Sequence, residues 1–241
     1  MKRFLMHTLA GTAIATLSLS AGATTIQATL NSMTPQSGVT VTEPSTTTPT
    51  SAGRFNFTRT GGDHPVTPLP DAPVSQFWAF CVELGQSIDF GENLTYDVLP
   101  LASGSSVTGG IGNARADDIL ELLGAVYPDF TQVLTNNRYA ALQISIWEIT
   151  REDRATHGYD VYTGDVKFSG SSATILNLAN SFLSQVDDVG PRAAGIRALV
   201  NRTRQDMLVQ FPVPEPGSLA LSLLGLGAVF GMRRHAARTR S

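Results

Sequence analysis

The chain has a single cysteine among 241 residues, only four histidines and two tryptophans, and just 15% charged residues, against the usual quarter. One cysteine cannot make an internal disulfide. Two of the histidines, His7 and His235, stand near the chain ends, leaving His64 and His157 far from Cys81 in sequence. A dedicated zinc site therefore lacks its usual donor set, and no metal is expected. Also missing are H-E-x-x-H, a Walker loop, a G-x-S-x-G elbow and an acidic calcium loop. The Ser-Gly stretch around Gly104 and Gly109-Gly110 has no phosphate-loop lysine and reads as a turn. With no catalytic set and no cofactor motif, the sequence reads as a non-enzyme.

Positive charge in the middle of the chain is scarce too. Six of the seventeen basic residues sit at the ends: Lys2, Arg3, Arg233, Arg234, Arg238 and Arg240. The other eleven share the intervening body with all twenty acidic residues. Such an acidic body lacks the basic face that phosphate binding requires, so nucleic acid is not an expected partner. Apolar residues at 42% and a net charge of −3 also argue against intrinsic disorder.

What is present begins at the two ends. Lys2-Arg3, the apolar run Leu5 to Leu19 and the small-residue site Ala21-Gly22-Ala23 form the three parts of a secretory signal peptide over residues 1–23. At the other end, Val213-Pro214-Glu215-Pro216 precedes an uncharged run from Ser218 to Met232 and then the arginine cluster. That run is short for a permanent membrane span, and Gly225, Gly227 and Gly231 weaken it as a helix. Positive charge after it would hold that end in the cytoplasm and leave the body outside.

This tripartite ending resembles the PEP-CTERM sorting signal of Gram-negative exported proteins, with Pro214, Glu215 and Pro216 as its motif. The resemblance implies an exosortase as processing partner and a short membrane helix within residues 213–241. It also implies transient residence in the inner membrane, then release to the cell surface or the extracellular matrix, often with exopolysaccharide. The alternative is a plain C-terminal anchor.

Residues 24–212 are then the extracellular body. Its early part alternates as strands do, and its later part follows helical spacing, so the expected class is α+β. Residues 35–53, rich in Thr, Ser and Pro, read as an exposed loop. Strands are expected at Arg54–Thr58 and Val74–Leu84, with Leu94–Leu101 as the hairpin or meander partner of the latter, and again at Val161–Phe168. Helices are expected over 114–127, from Asn136-Asn137 as cap to Arg151, and over 171–186 and 191–208.

Two apolar segments carry the chemistry. Cys81 lies in Phe77-Trp78-Ala79-Phe80-Cys81-Val82-Glu83-Leu84, where a lone thiol can be a small buried hydrophobe. Gln143 lies in Tyr139-Ala140-Ala141-Leu142-Gln143-Ile144-Ser145-Ile146-Trp147, one helical turn from both Tyr139 and Trp147. An amide in that stripe must find partners or be consumed in a bond, because burying it bare is costly.

The pair resembles the thioester domains of bacterial surface adhesins. Phe80-Cys81-Val82-Glu83 fits the cysteine motif, and Leu142-Gln143-Ile144-Ser145-Ile146-Trp147 fits the glutamine motif, with Ser145 where the family has alanine. The resemblance implies a β-sheet or barrel-like core with a helical subdomain. It also implies a Cys81–Gln143 thioester in a pocket of Phe80, Glu83, Tyr139 and Trp147, and single-use covalent attachment to an amine or hydroxyl. The competing expectation is a non-covalent matrix protein that keeps the fold without the bond.

Overall fold

The computed structural model describes residues 24–63 and 75–212. Both terminal signals, with Pro214, Glu215 and Pro216, fall outside the described residues, as do His64 and Val74. Among the described residues no helix is long and apolar enough to cross a membrane.

Among the described residues, seven strands and four α-helices make up the body: β1 (Thr25–Glu43), β2 (Thr46–Gly62), β3 (Gln76–Cys81), β4 (Asn93–Leu99), α1 (Gly112–Val126), α2 (Asn136–Arg151), α3 (Arg154–His157), β5 (Lys167–Ser169), α4 (Ala173–Leu183), β6 (Ile196–Val200) and β7 (Met207–Gln210). All pairings are antiparallel, and six of them run in a circle: β1–β2, β2–β3, β3–β7, β7–β6, β6–β4 and β4–β1. The sheet therefore closes on itself, which among the described residues leaves free edges only beyond that circle, at β5 and the far half of the β1–β2 hairpin. β5 adds to the far half of β1 through Thr40 to Thr42. This is an α+β body with a large antiparallel sheet.

Residues 35–53 are not a loop. They belong to a long β1–β2 hairpin in register from Gln36–Gly53 to Glu43–Thr46. Val39 and Val41 are buried while their neighbours are not, a period of two that only a strand explains. Threonine, read as a loop residue, acts here through its β-branch. The 191–208 segment is likewise strand–turn–strand, β6 and β7, and not a helix. Ile196, Ala198 and Leu199 are buried around exposed Arg197, and the turn after Val200 falls at Asn201 to Gln205. β4 does pair antiparallel, but with β1 and β6 rather than with β3. The Val161–Phe168 strand shrinks to β5.

The helices follow expectation more closely. α1 buries Ile119, Leu122 and Leu123. α2 is the expected helix, capped at Thr135 rather than at an asparagine side chain. Every residue of α2 from Tyr139 to Thr150 is buried, so it is enclosed on all sides, as a helix apolar all round must be. It packs on β1, β2 and β3 and on α1 and α4, which places its polar residues Gln143, Ser145 and Glu148 deep inside the protein.

Candidate functional site

β3 carries Cys81 as its last residue. Its ladder with β2 runs from Thr58–Gln76 to Phe55–Ala79 and goes no further. In an antiparallel ladder Cys81 offers its N–H and C=O on the same side as Ala79, so both groups need a partner beyond the end of β2. The Gln143 side chain supplies it. Cys81 N–H donates to Gln143 Oε1 at 2.9 Å, and Gln143 Nε2 donates to the Cys81 carbonyl oxygen at 2.8 Å. The amide stands in for the missing strand, and both residues are fully buried. The cysteine and glutamine, 62 residues apart, are thus brought together.

The sulfur has its own surroundings. The Cys81 thiol donates to the Glu83 carbonyl oxygen at 2.5 Å, and Sγ accepts from Glu83 N–H at 3.3 Å. Burial pushes the thiol pKa up to about 12; Trp147 and the Glu83 main chain oppose this, and the nearby Glu83 and Asp206 charges reinforce it. Trp147 Nε1 influences the sulfur without an aligned hydrogen bond to it or to any other described group. The thiol is therefore neutral near neutrality, and attack through sulfur requires removal of its proton.

Glu83 itself is completely buried. Its Oε1 accepts from Asp206 N–H at 2.7 Å, whereas Oε2 has no partner among the described residues. Burial raises its pKa to about 7, partly offset by that hydrogen bond, so near neutrality it can hold or release a proton. Asp206, also fully buried, accepts from Asn201 N–H and Ser106 N–H and has its pKa raised by burial. No sequence signal singles out Asp206, because the spacing over 191–208 suits a helix. Its visible trace is an acid inside a turn directly before the apolar run Met207–Val209.

Phe80 and Tyr139 adjoin the pair in a different way. Strand alternation turns the Phe80 side chain to the face opposite Cys81, where it meets Tyr127, Phe130 and Tyr139 at ring separations of 5.7–6.4 Å. Trp78, on that same face, packs edge-on to Tyr139 at 5.8 Å. The Tyr139 hydroxyl accepts from Arg54 and from Leu134 N–H. This aromatic wall fixes α2 against β3. Ser145, the departure from the glutamine motif, aims away from Cys81: its hydroxyl reaches the carbonyls of Ala141 and Ala179.

Titratable groups also gather around α3. Glu152, His157 and Asp165 lie close together, as do Asp118, Glu121 and Asp188. Their buried members are already engaged: Glu152 accepts from His157, Asp153 N–H, Asp165 N–H and Val166 N–H, and Glu121 from the main chain of Asp187, Asp188 and Gly190. Arg154 ties Asp118 to Asp188. This is a loop-fastening network with its acceptors filled.

The described fold and site thus define an α+β body with an enclosed Cys–Gln pair. The chain's destination comes from its end: residues 212–235 match the PEP-CTERM protein-sorting motif, which implies an exported protein, processed by exosortase and sorted to the cell surface or beyond. No curated protein and no solved structure matches the chain, and these comparisons lend no support to a thioester-domain body.

Proposed function

We propose that this exported protein is a covalent surface or matrix adhesin whose body closes a thioester between Cys81 and Gln143. In that reaction Sγ bonds to the Gln143 side-chain carbonyl carbon, the carbon–nitrogen bond breaks, and the thiol proton leaves with the nitrogen as ammonia. The observation that carries the reading is the two-point clasp of the Gln143 amide on the main chain of Cys81. Cys81 N–H already polarises Oε1 and would steady the oxyanion of a tetrahedral intermediate. The Cys81 carbonyl holds the departing nitrogen, and the fixed geometry supplies proximity. Glu83, whose pKa lies at about 7, is the group suited to take the thiol proton and pass it to that nitrogen. The enclosure then protects the bond from water until an amine or hydroxyl captures the Gln143 acyl group. Such capture happens once per molecule, without turnover.

One observation favours a second reading. Both polar atoms of Gln143 are satisfied by hydrogen bonds, so the amide can also serve purely as a strand mimic in a non-covalent matrix protein. Trapping separates the two. Protein unfolded in guanidinium at mildly acidic pH with a maleimide should leave Cys81 unlabelled. Prior treatment with methylamine should expose the thiol and place the methylamine on the acyl group of residue 143. Complete labelling without amine, over an intact Gln143 amide, contradicts the thioester and leaves the strand mimic.

A further inference from the structure

A cleft of about 570 Å³ opens beside the Cys81–Gln143 pair, between the β1–β2 hairpin and the segment that follows β3. Its volume is that of a site for a small ligand. Trp147, one helical turn past Gln143, lines it, as do Leu84 and Gln205. The Gln205 amide donates to the Glu83 carbonyl oxygen at 3.3 Å, the same oxygen that accepts the Cys81 thiol. One layer of side chains thus separates the cleft from the sulfur.

The lining has a distinct chemistry. Aromatic rings, including Phe90 at the rim, alternate with glutamine amides and with the threonine and serine hydroxyls of the hairpin. Among the described residues Glu43 is the sole charged one in it, and Arg151 neutralises that carboxylate at 2.5 Å. Gln86 Oε1, enclosed at the cleft wall, has no partner among the described residues, while Trp147 Nε1 is turned toward the Cys81 sulfur. Phe90 is 66% exposed, so the core does not need it. A protonated lysine entering here would find no free carboxylate and would lose its hydration uncompensated. A neutral sugar finds the exposed Phe90 ring for a C–H face, and uncharged donors and acceptors for its hydroxyls.

We infer that this cleft binds the acceptor and that the acceptor is an uncharged carbohydrate. The covalent step rests on the thioester reading; the binding step does not. With the Trp147 and Gln205 side chains moved aside, one sugar hydroxyl attacks the Gln143 acyl carbon, the carbon–sulfur bond breaks, an ester forms, and the hydroxyl proton passes to the Cys81 sulfur.

The test has two arms, with cellohexaose and maltohexaose as glycan probes and Nα-acetyl-lysine methylamide as the competitor. In the first, Cys81→Ala protein, unable to form the bond, is titrated while tryptophan fluorescence is read, since Trp147 lines the cleft. Saturable binding of at least one glycan is expected, weakened tenfold or more by Phe90→Ala and by Gln86→Ala, with no response to the lysine probe. In the second, wild-type protein is incubated with each probe and weighed intact. A whole-glycan adduct with one released thiol is expected. Absence of saturable glycan binding, or binding indifferent to Phe90→Ala and Gln86→Ala, overturns the inference. A lysine adduct in place of a glycan adduct overturns the acceptor class while leaving the thioester standing. If methylamine also gives no adduct, the thioester itself has failed, and the first arm still decides what the cleft binds.

Discussion

Buried carboxyls are handled in opposite ways in two parts of this molecule. Around α3, Glu121 and Glu152 are enclosed, yet their pKa values lie below the ordinary carboxylate range: burial pushes them up, and several N–H donors more than offset it. Glu83, beside the sulfur, and Glu148, on α2, receive one main-chain N–H each and keep one oxygen bare. Burial therefore dominates, and their pKa values rise to about 7 and about 8. The difference lies in donor count together with depth. A carboxylate wrapped in N–H groups fastens a loop; one left short of donors holds a proton near neutrality and can move it.

The comparison can be broken most forcefully at the cross-link. A thioester closing the 62-residue separation between Cys81 and Gln143 restricts the unfolded chain as a disulfide of that span would, by about 4 kcal/mol. Opening it with methylamine should lower the unfolding free energy by that order, read by guanidinium titration. Cys81→Ala protein should show no change on the same treatment.

Next in size is Glu148→Gln. Here the folded protein keeps a proton that the unfolded chain releases, so wild-type stability declines as pH rises from about 4.5 to about 8. The variant should match wild type near pH 4 and exceed it by up to about 4 kcal/mol at pH 8.

Glu152→Gln should do the reverse, at a cost of about 2–3 kcal/mol at neutral pH, since charge-assisted bonds are lost. The folded pKa lies below the unfolded one, so the carboxylate's contribution is full above the ordinary carboxylate range. It disappears as pH falls toward the folded value. The gap between wild type and variant should therefore close on acidification. Identical pH slopes for these two variants would dissolve the contrast. The smallest effect is that of Ser145→Ala, about 1 kcal/mol, with methylamine reactivity retained, because the hydroxyl faces α4 and not the sulfur.

Some of this was legible in the residues. The apolar stripe Tyr139–Trp147 announced α2, and a buried glutamine in it demanded a partner. The PEP motif announced the destination. What hid was whatever depends on distant pairing. Val39 to Thr42 reads as a polar loop until β5 and β2 are seen to flank it. Ile196 to Met207 has apolar residues that suit a helix as well as two strands, and only closure of the sheet decides. Asp206 and Gln205 escaped with that misreading, although they hold Glu83 from the far side of the site. The cleft escaped because its walls come from four remote stretches of chain.

The central claim is that Cys81 and Gln143 are joined, and intact mass tests it most directly. Freshly purified wild-type protein, corrected for terminal processing, should be lighter than its sequence by one ammonia, and the deficit should vanish in Cys81→Ala and in Gln143→Ala. A wild-type mass without that deficit, with peptide sequencing that reads glutamine and not glutamate at position 143, would contradict it.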